Sequence, residues 1–296
     1  MQDIRPFVKW AWWKRDLISQ FEKYFPEKIE HYVEPFVWWW AVLIYILQTH
    51  KIKSAYAFDI NPNLINCYQV IKTNVEELIK KLSKYQKDFW KIENMDEKLD
   101  YFLKIRDKYN KKRLKKWEIN VERAAQFIFL NRTCFNGLYR ENRNWEFNVP
   151  FWKFKNPRIC DEDNLRALSK LIQNVEFTHW NYYDCEKLVT SKSFVYFDPP
   201  YRPITKQWFT SYAKENFNDN NQKELSEFYA KLDKKKAKLM LSNSNPRNMD
   251  PNDDFFEELY KKFKIKEVYA KRRINSKWDW RWEISELLIL NYNGKN

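Results

Sequence analysis

The spacing of apolar positions changes period along the chain. A short β-rich run at residues 31–37 gives way to a helical stretch through Gln48, and a second β-rich run at 55–60 carries Asp59 near its end. This order predicts the opening of an α/β sheet. From Asn63 to about Arg132 the pattern turns helical: Leu64, Ile65, Tyr68 and Ile71, then Leu78, Ile79 and Leu82, recur at spacings of three and four. Residues 136–157 are irregular and rich in Asn, Arg and Phe, which predicts a hairpin and loops. The alternation then resumes, with a helix over 161–173, strands over 175–179 and 193–198, a helix over 220–232, a strand over 238–242, a helix over 254–263 and β-rich runs over 265–270 and 283–292.

Such intervals favour an α/β fold built on a doubly wound, mostly parallel sheet, interrupted by a helical, loop-rich insertion. The expected division is one domain from residues 1–62 and 158–296 and a second from 63–157. No internal repeat or low-complexity tract interrupts the pattern.

Composition narrows the function. Lys and Arg number 54 against 40 Asp and Glu, a formal charge of +14. That excess suits a polyanionic partner, either nucleic acid or an anionic membrane surface, although lysines such as those at 111–116 can equally solvate helix faces. Cys67, Cys134, Cys160 and Cys185 are scattered without a CxxC pair, and only His31, His50 and His179 could join them, so neither a metal site nor a disulfide frame is expected. The first nine residues are polar and mixed, unlike a signal peptide. The longest apolar run, 36–47, falls short of the roughly 20 residues a membrane span needs. A cytoplasmic protein without a membrane anchor is the expectation. One count is abnormal: there are 2 glycines and 15 tryptophans, where average usage would give about twenty glycines.

The sharpest chemical signal is Asp198-Pro199-Pro200-Tyr201, directly after the apolar strand Phe194-Val195-Tyr196-Phe197. Ligands of open α/β sheets sit outside the carboxyl ends of strands. The prolines fix φ and remove two backbone donors, so the loop presents acceptors in a rigid arrangement. A planar base bearing an NH2 group fits there, its hydrogens accepted by Asp198 and the Pro199 carbonyl and its ring stacked on Tyr201. Accepting both hydrogens frees the nitrogen lone pair for attack on an electrophilic methyl. A rigid turn after a buried strand accounts for the same four residues without a ligand. A second element is Glu34-Pro35-Phe36-Val37 followed by Asp59, a loop and downstream acid spaced as in nucleotide-binding folds; an acid ending a strand is also a common helix cap.

The segments Lys9-Trp10-Ala11, Glu34-Pro35-Phe36-Val37, Asp59-Ile60-Asn61, Asn131-Arg132, Phe135-Asn136-Gly137-Leu138-Tyr139-Arg140, Glu146-Phe147-Asn148-Val149-Pro150-Phe151 and Asp198-Pro199-Pro200-Tyr201 occur in an order that resembles the Dam-type adenine-N6 DNA methyltransferases, from Arg5 to Tyr292. The resemblance implies a Rossmann-like fold, S-adenosylmethionine as cofactor, double-stranded DNA as partner, a GATC site, a monomer and no metal. It implies that Trp10, Lys14, Phe36, Asp59, Tyr182 and Asp198 contact the cofactor, with Asn181 beside Tyr182. Asp198, Pro199, Pro200 and Tyr201 would hold an adenine flipped from the duplex and carry direct transfer of the sulfonium methyl to N6. Within the insertion, Phe135, Asn136, Leu138, Arg140 and Pro150 match positions that read the site, Arg140 being suited to a bidentate guanine contact. Arg132, Arg143 and Lys153 would contact phosphates. Phe135 and Leu138 also suit a hairpin core.

The chain departs from that family in one direction. Trp12, Trp13, Trp38, Trp40, Trp145 and Trp152 stand where the family has glycine, and Trp39, Trp180, Trp278 and Trp282 where it usually has small residues. Independent substitutions would not favour a single, largest residue. The pattern is that of a codon meaning glycine in the source organism translated as tryptophan, and UGA is the natural candidate. Three indoles in the cofactor loop would block the space glycine leaves open. Two other readings are a DNA-binding protein that has lost catalysis and an enzyme of the same fold acting on RNA or on glutamine; the hairpin segment 135–150 argues against the latter.

Overall fold

The alternating β-rich and helical runs are realised as seven strands and nine α-helices among the residues that the computed structural model describes, 4–9, 13–115, 118–202, 217–271 and 283–294. In chain order these are α1 (Trp13–Phe21), β1 (His31–Glu34), α2 (Ala41–Thr49), β2 (Ser54–Asp59), α3 (Pro62–Thr73), α4 (Val75–Lys91), α5 (Met95–Lys111), α6 (Val121–Thr133), α7 (Glu162–Leu171), β3 (Val175–His179), β4 (Ser193–Phe197), α8 (Asp219–Asp233), β5 (Lys238–Ser244), α9 (Phe255–Leu259), β6 (Lys264–Lys271) and β7 (Glu283–Leu290). The sheet order is β3-β2-β1-β4-β5-β7-β6. Strand β1 is parallel to β2 and β4, and β4 to β5, whereas β7 runs antiparallel between β5 and β6. The mostly parallel α/β sheet expected from the sequence is present.

The chain divides into two compact units. One comprises Trp13–Val37, Tyr45–Phe58 and Trp180–Asn296. Its central strand β4 is buried at every residue, which is why Ser193-Phe194-Val195-Tyr196-Phe197 reads as an unbroken apolar run rather than an alternating one. Val195, Phe197, Leu239, Leu241, Leu287 and Ile289 from the sheet pack with Leu225, Phe228, Tyr229 and Leu232 of α8. The buried Tyr229 hydroxyl donates to the carbonyls of Leu239 and Ile289 at 2.9 and 3.2 Å, fixing α8 on the sheet.

The other unit comprises Met1–Trp12, Trp38–Ile44 and Asp59–His179. Helix α6 is its axis, buried from Arg123 through Asn131 and packed by α3, α4 and α5. The expected helical span of 63–132 is broken by asparagines. Asn94 caps α5 by accepting from the amides of Asp96 and Glu97, and Asn120 caps α6 by accepting from Arg123. Beyond α6, bridges Cys134 to Phe151 and Glu141 to Phe147 close the hairpin expected at 136–157.

Several elements differ from expectation in their bounds, and one helix was not expected. Strand β1 stops at Glu34 because Pro35 has no amide to donate, and Val37–Trp39 continues as a 3-10 turn. Helix α9 ends at Leu259; the chain then turns, with Phe263 donating its amide to Tyr260 at 2.8 Å. Helix α1 has no counterpart in the sequence expectation, although Leu17 and Phe21 are fully buried at helical spacing.

Arg123 is the polar anchor of the helical unit. Its Nε donates to Asn63 Oδ1 at 2.9 Å, its Nη1 donates to the carbonyls of Tyr109 and Lys112, and its guanidinium lies over the Tyr109 ring. Arg123→Met should cost about 3 kcal/mol by leaving buried acceptors unpaired, read as a lower urea midpoint at unchanged m-value.

Candidate active site

The carboxyl end of β4 delivers Asp198 into a shell of polar side chains on neighbouring strands. Parallel pairing sets Phe197 opposite Leu241, so the next residue along each strand, Asp198 and Ser242, meet: Ser242 Oγ donates to Asp198 Oδ1 at 2.9 Å. Ser242 Oγ also lies 2.8 Å from the Tyr196 hydroxyl. Asp198 is 1% exposed, so its hydrogen-bond partners rather than bulk water fix where its oxygens point.

Tyr201 is held in the same way. Its hydroxyl donates to Glu286 Oε2 at 2.5 Å, and Glu286, on β7, pairs across the strands with Ser244. Downstream, Pro200 O accepts from Gln222 Nε2 at 3.0 Å, and Arg202 N donates to Asn243 Oδ1 at 3.1 Å. The Arg202 guanidinium bridges Asp219 and Asp253 at 2.9 and 2.6 Å. Both ends of the tetrapeptide are thereby clamped. Burial, reinforced by nearby carboxyl groups, pushes the phenols of Tyr196 and Tyr201 well above their ordinary range. They remain donors at neutral pH.

At the end of β1, the Tyr32 hydroxyl donates to the buried Glu34 at 2.6 Å. Phe36 stands with its ring 5.2 Å from that of Tyr182 and 5.9 Å from Phe217. Asn181 caps the 3-10 segment Tyr182–Leu188 through a capping box with Asp184. The structure thus brings together Phe36 with Tyr182, and Asp198 with Tyr196, Ser242 and the neighbouring Tyr201.

In the helical unit, Asp59 Oδ1 accepts from Asn61 N at 2.7 Å, and Asn61 in turn caps α3. Burial pushes the Asp59 carboxyl up to about 7. Arg132 donates to Phe7 O at 2.6 Å, and burial lowers its pKa to about 10. Across the hairpin, Arg140 donates to Asn148 Oδ1 at 2.7 Å, and Phe135 donates its amide to Pro150 O at 2.9 Å while its ring meets Trp152 edge-on. Asn136, Arg143, Pro150 and Lys153 are exposed and Leu138 is half-buried. Trp10 and the side chain of Lys14 lie outside the described residues.

Sequence reasoning passed over Tyr196, Ser242, Gln222, Arg202 and Glu286. A signal existed for two of them: Glu286 is a lone acid in the apolar run 284–290, and Ser242 begins a polar triplet ending an apolar strand.

The model of the D12 class N6 adenine-specific DNA methyltransferases matches residues 10–274. The chain is 47% identical to Type II methyltransferase M.MjaIII of Methanocaldococcus jannaschii, covering 98% of this chain and 100% of that one. It is 36% identical to Type II methyltransferase M1.LlaDCHI of Lactococcus lactis, over 98% and 96%. It is 31% identical to the DNA adenine methylase of Escherichia coli K12, again over 98% and 96%.

The raised Asp59 pKa sets a pH dependence. Between the ordinary 3.8 and about 7, the folded chain holds a proton that the unfolded chain has shed. Stability from this group is therefore full below about pH 4 and falls as pH rises through 7. Asp59→Asn, which still offers an oxygen to Asn61, should remove that slope and gain about 1–3 kcal/mol over the parent above pH 7. Urea midpoints across the window measure it.

Proposed function

The chain belongs to the D12 class N6 adenine-specific DNA methyltransferases, and from that premise we propose that it methylates N6 of an adenine flipped out of duplex DNA, within GATC, using S-adenosylmethionine as donor. It acts as a cytoplasmic monomer, residues 63–157 reading the DNA and residues 1–62 and 158–296 carrying catalysis. No described helix is long and apolar enough to cross a membrane.

The observation that carries this reading is the tetrapeptide at the end of β4, with Asp198 oriented by Ser242 and Tyr201 by Glu286. Ser242 Oγ donates to Asp198 Oδ1 at 2.9 Å, and the two oxygens of a carboxylate accept several hydrogen bonds between them. Asp198 and the Pro199 carbonyl accept the two N6 hydrogens, Pro200 fixes the backbone between them and the aromatic ring, and Tyr201 stacks on the purine. Electron density left on N6 makes it the nucleophile, and Asp198 stands beside the proton that N6 must shed after methylation. Extrusion of the base is required because the stacked, paired amino group is out of reach.

The donor's own site divides. Phe36 and Tyr182 offer an aromatic wall suited to an adenosyl ring, and Asp59 a carboxyl group suited to ribose hydroxyls; Trp10 and Lys14 complete the proposed contacts. The stretch 38–40 does not fit: Trp40 is 0% exposed, with its indole N–H lacking an acceptor. Glycine there, as the sequence pattern suggests, would open that space.

On the DNA side, Phe135, Asn136, Leu138, Arg140 and Pro150 read the site from the hairpin, and Arg132 and Lys153 contact phosphate. Arg140, planar and held by Asn148, presents a fork suited to guanine O6 and N7.

The test is methylation of unmodified duplex DNA by protein purified from cells that carry the gene, scored by methylation-dependent cleavage at GATC. Cleavage at another sequence would replace the site assignment. In a chain with glycine at 38–40, Asp198→Asn should abolish transfer while DNA affinity stays within about three-fold; retained transfer would refute the assigned role. Arg140→Ala should cost about 1–3 kcal/mol of discrimination at one base pair, measured by competition between single-base variants of the site.

A further inference from the structure

The hairpin that carries Arg140 is a two-stranded ribbon, and such a ribbon is marginal in water unless something packs on it. Its hydrogen bonds run from Asn142 N to Glu146 O at 2.9 Å and from Asn148 N to Arg140 O at 3.1 Å. They flank the facing pair Glu141 and Phe147. In an antiparallel ladder the residues of such a pair turn their own N–H and C=O away from the partner strand. Phe147 therefore presents a donor and an acceptor on the outer edge of the hairpin, and one side chain meets both. Phe147 N donates to Asn110 Oδ1 at 2.9 Å, and Asn110 Nδ2 donates to Phe147 O at 3.1 Å. A side-chain amide carries one group of each kind, so Asn110, in the last turn of α5, stands in for a third strand at a single residue.

Packing fixes the same register. Phe147 is buried, its ring 5.8 Å from that of Tyr139 and 6.3 Å from that of Tyr109 on α5, while the Tyr139 ring lies 5.0 Å from that of Phe127 on α6. Just beyond α5, Arg113 Nη2 donates to Asn144 O in the hairpin turn at 2.8 Å. With Tyr139 and Phe147 facing the helices, strand alternation turns their neighbours Arg140 and Asn148 to the opposite face. There Arg140 donates from Nε to Asn148 Oδ1 at 2.7 Å and from Nη2 to Asn148 O at 3.3 Å.

We propose that Asn110 is a specificity-positioning residue: by fixing the backbone of Phe147 it places the adjoining Asn148, and through it the Arg140 fork, so that α5 sets how sharply the hairpin tells one base pair from another. This rests on the proposed reading of guanine by Arg140. A bidentate contact tolerates little displacement, because both N–H groups must line up with O6 and N7. On a hairpin released from α5, Arg140 still brings its charge to the DNA; attraction to phosphate survives while the direction of the fork is lost.

Competition binding with the full chain reads this, using duplexes that carry GATC, duplexes with one of its base pairs changed, and a duplex without the site. Asn110→Ala should lower the preference at the base pair sensed by Arg140 about five-fold or more, while affinity for the duplex without the site stays within about two-fold. In an Arg140→Ala chain the same substitution should change that preference no further. A loss that adds to that of Arg140→Ala, or affinity falling alike for every duplex, overturns the proposal, because either shows Asn110 acting on the fold and not through Arg140. Asn110→Asp keeps the acceptor for Phe147 N and loses the donor to Phe147 O, which gives a second variant should the alanine chain fail to fold; a preference equal to the parent's overturns the proposal as well. If Arg140→Ala relaxes the preference and neither Asn110 variant does, Asn110 alone is refuted. If Arg140→Ala discriminates as the parent does, the guanine contact falls and the role of Asn110 with it.

Discussion

A single hydrogen bond, from Ser242 Oγ to Asp198 Oδ1, governs what the end of β4 can do. A buried carboxyl group without directed donors would rotate or take up a proton, and either would spoil it as an acceptor for an amino group. Here parallel pairing of β4 with β5 brings the donor opposite, the prolines fix the following backbone, and the Arg202 bridge to Asp219 and Asp253 holds the loop's exit. Tyr201 repeats the design through Glu286 on an antiparallel strand. The contact therefore depends on register: a slip of one residue would turn Ser242 away from Asp198.

The second constraint is backbone conformation. Loops that approach a ligand closely are built from residues that tolerate positive φ and occupy no volume. At Trp40 and Trp145 the backbone keeps that form while the side chain contradicts it. Conflict between local conformation and residue type is what a minimally frustrated sequence avoids.

Much of this was legible in the sequence. The unbroken apolar run of β4 announced a central strand, because burial on two faces leaves a compositional mark, and the Asp-Pro-Pro-Tyr that follows marked the candidate site. The helical span after Asn63 was legible as helix but not as four helices, since Asn94 and Asn120 read as polar surface positions until their capping bonds are seen. Ser242 left a partial signal, as the first polar residue ending an apolar strand, but Gln222 and Arg202 were not legible: on α8 and in the loop after β4 they meet residues some twenty to fifty positions away, a proximity that periodicity does not encode. Glu286 was half-legible, as an acid inside an apolar strand. Alternatives for Asp59 remained open in the sequence, and the structure adds a local role, accepting from Asn61, that is compatible with either.

The proposed function turns on the tetrapeptide at the end of β4 presenting an adenine amino group for methylation. Nucleoside mass spectrometry of duplex DNA incubated with S-adenosylmethionine and the chain carrying glycine at 38–40 and 145 tests it most directly. The account predicts N6-methyldeoxyadenosine as the new nucleoside, lost on Asp198→Asn; a methylated cytosine, or N6-methyldeoxyadenosine undiminished by Asp198→Asn, would contradict it.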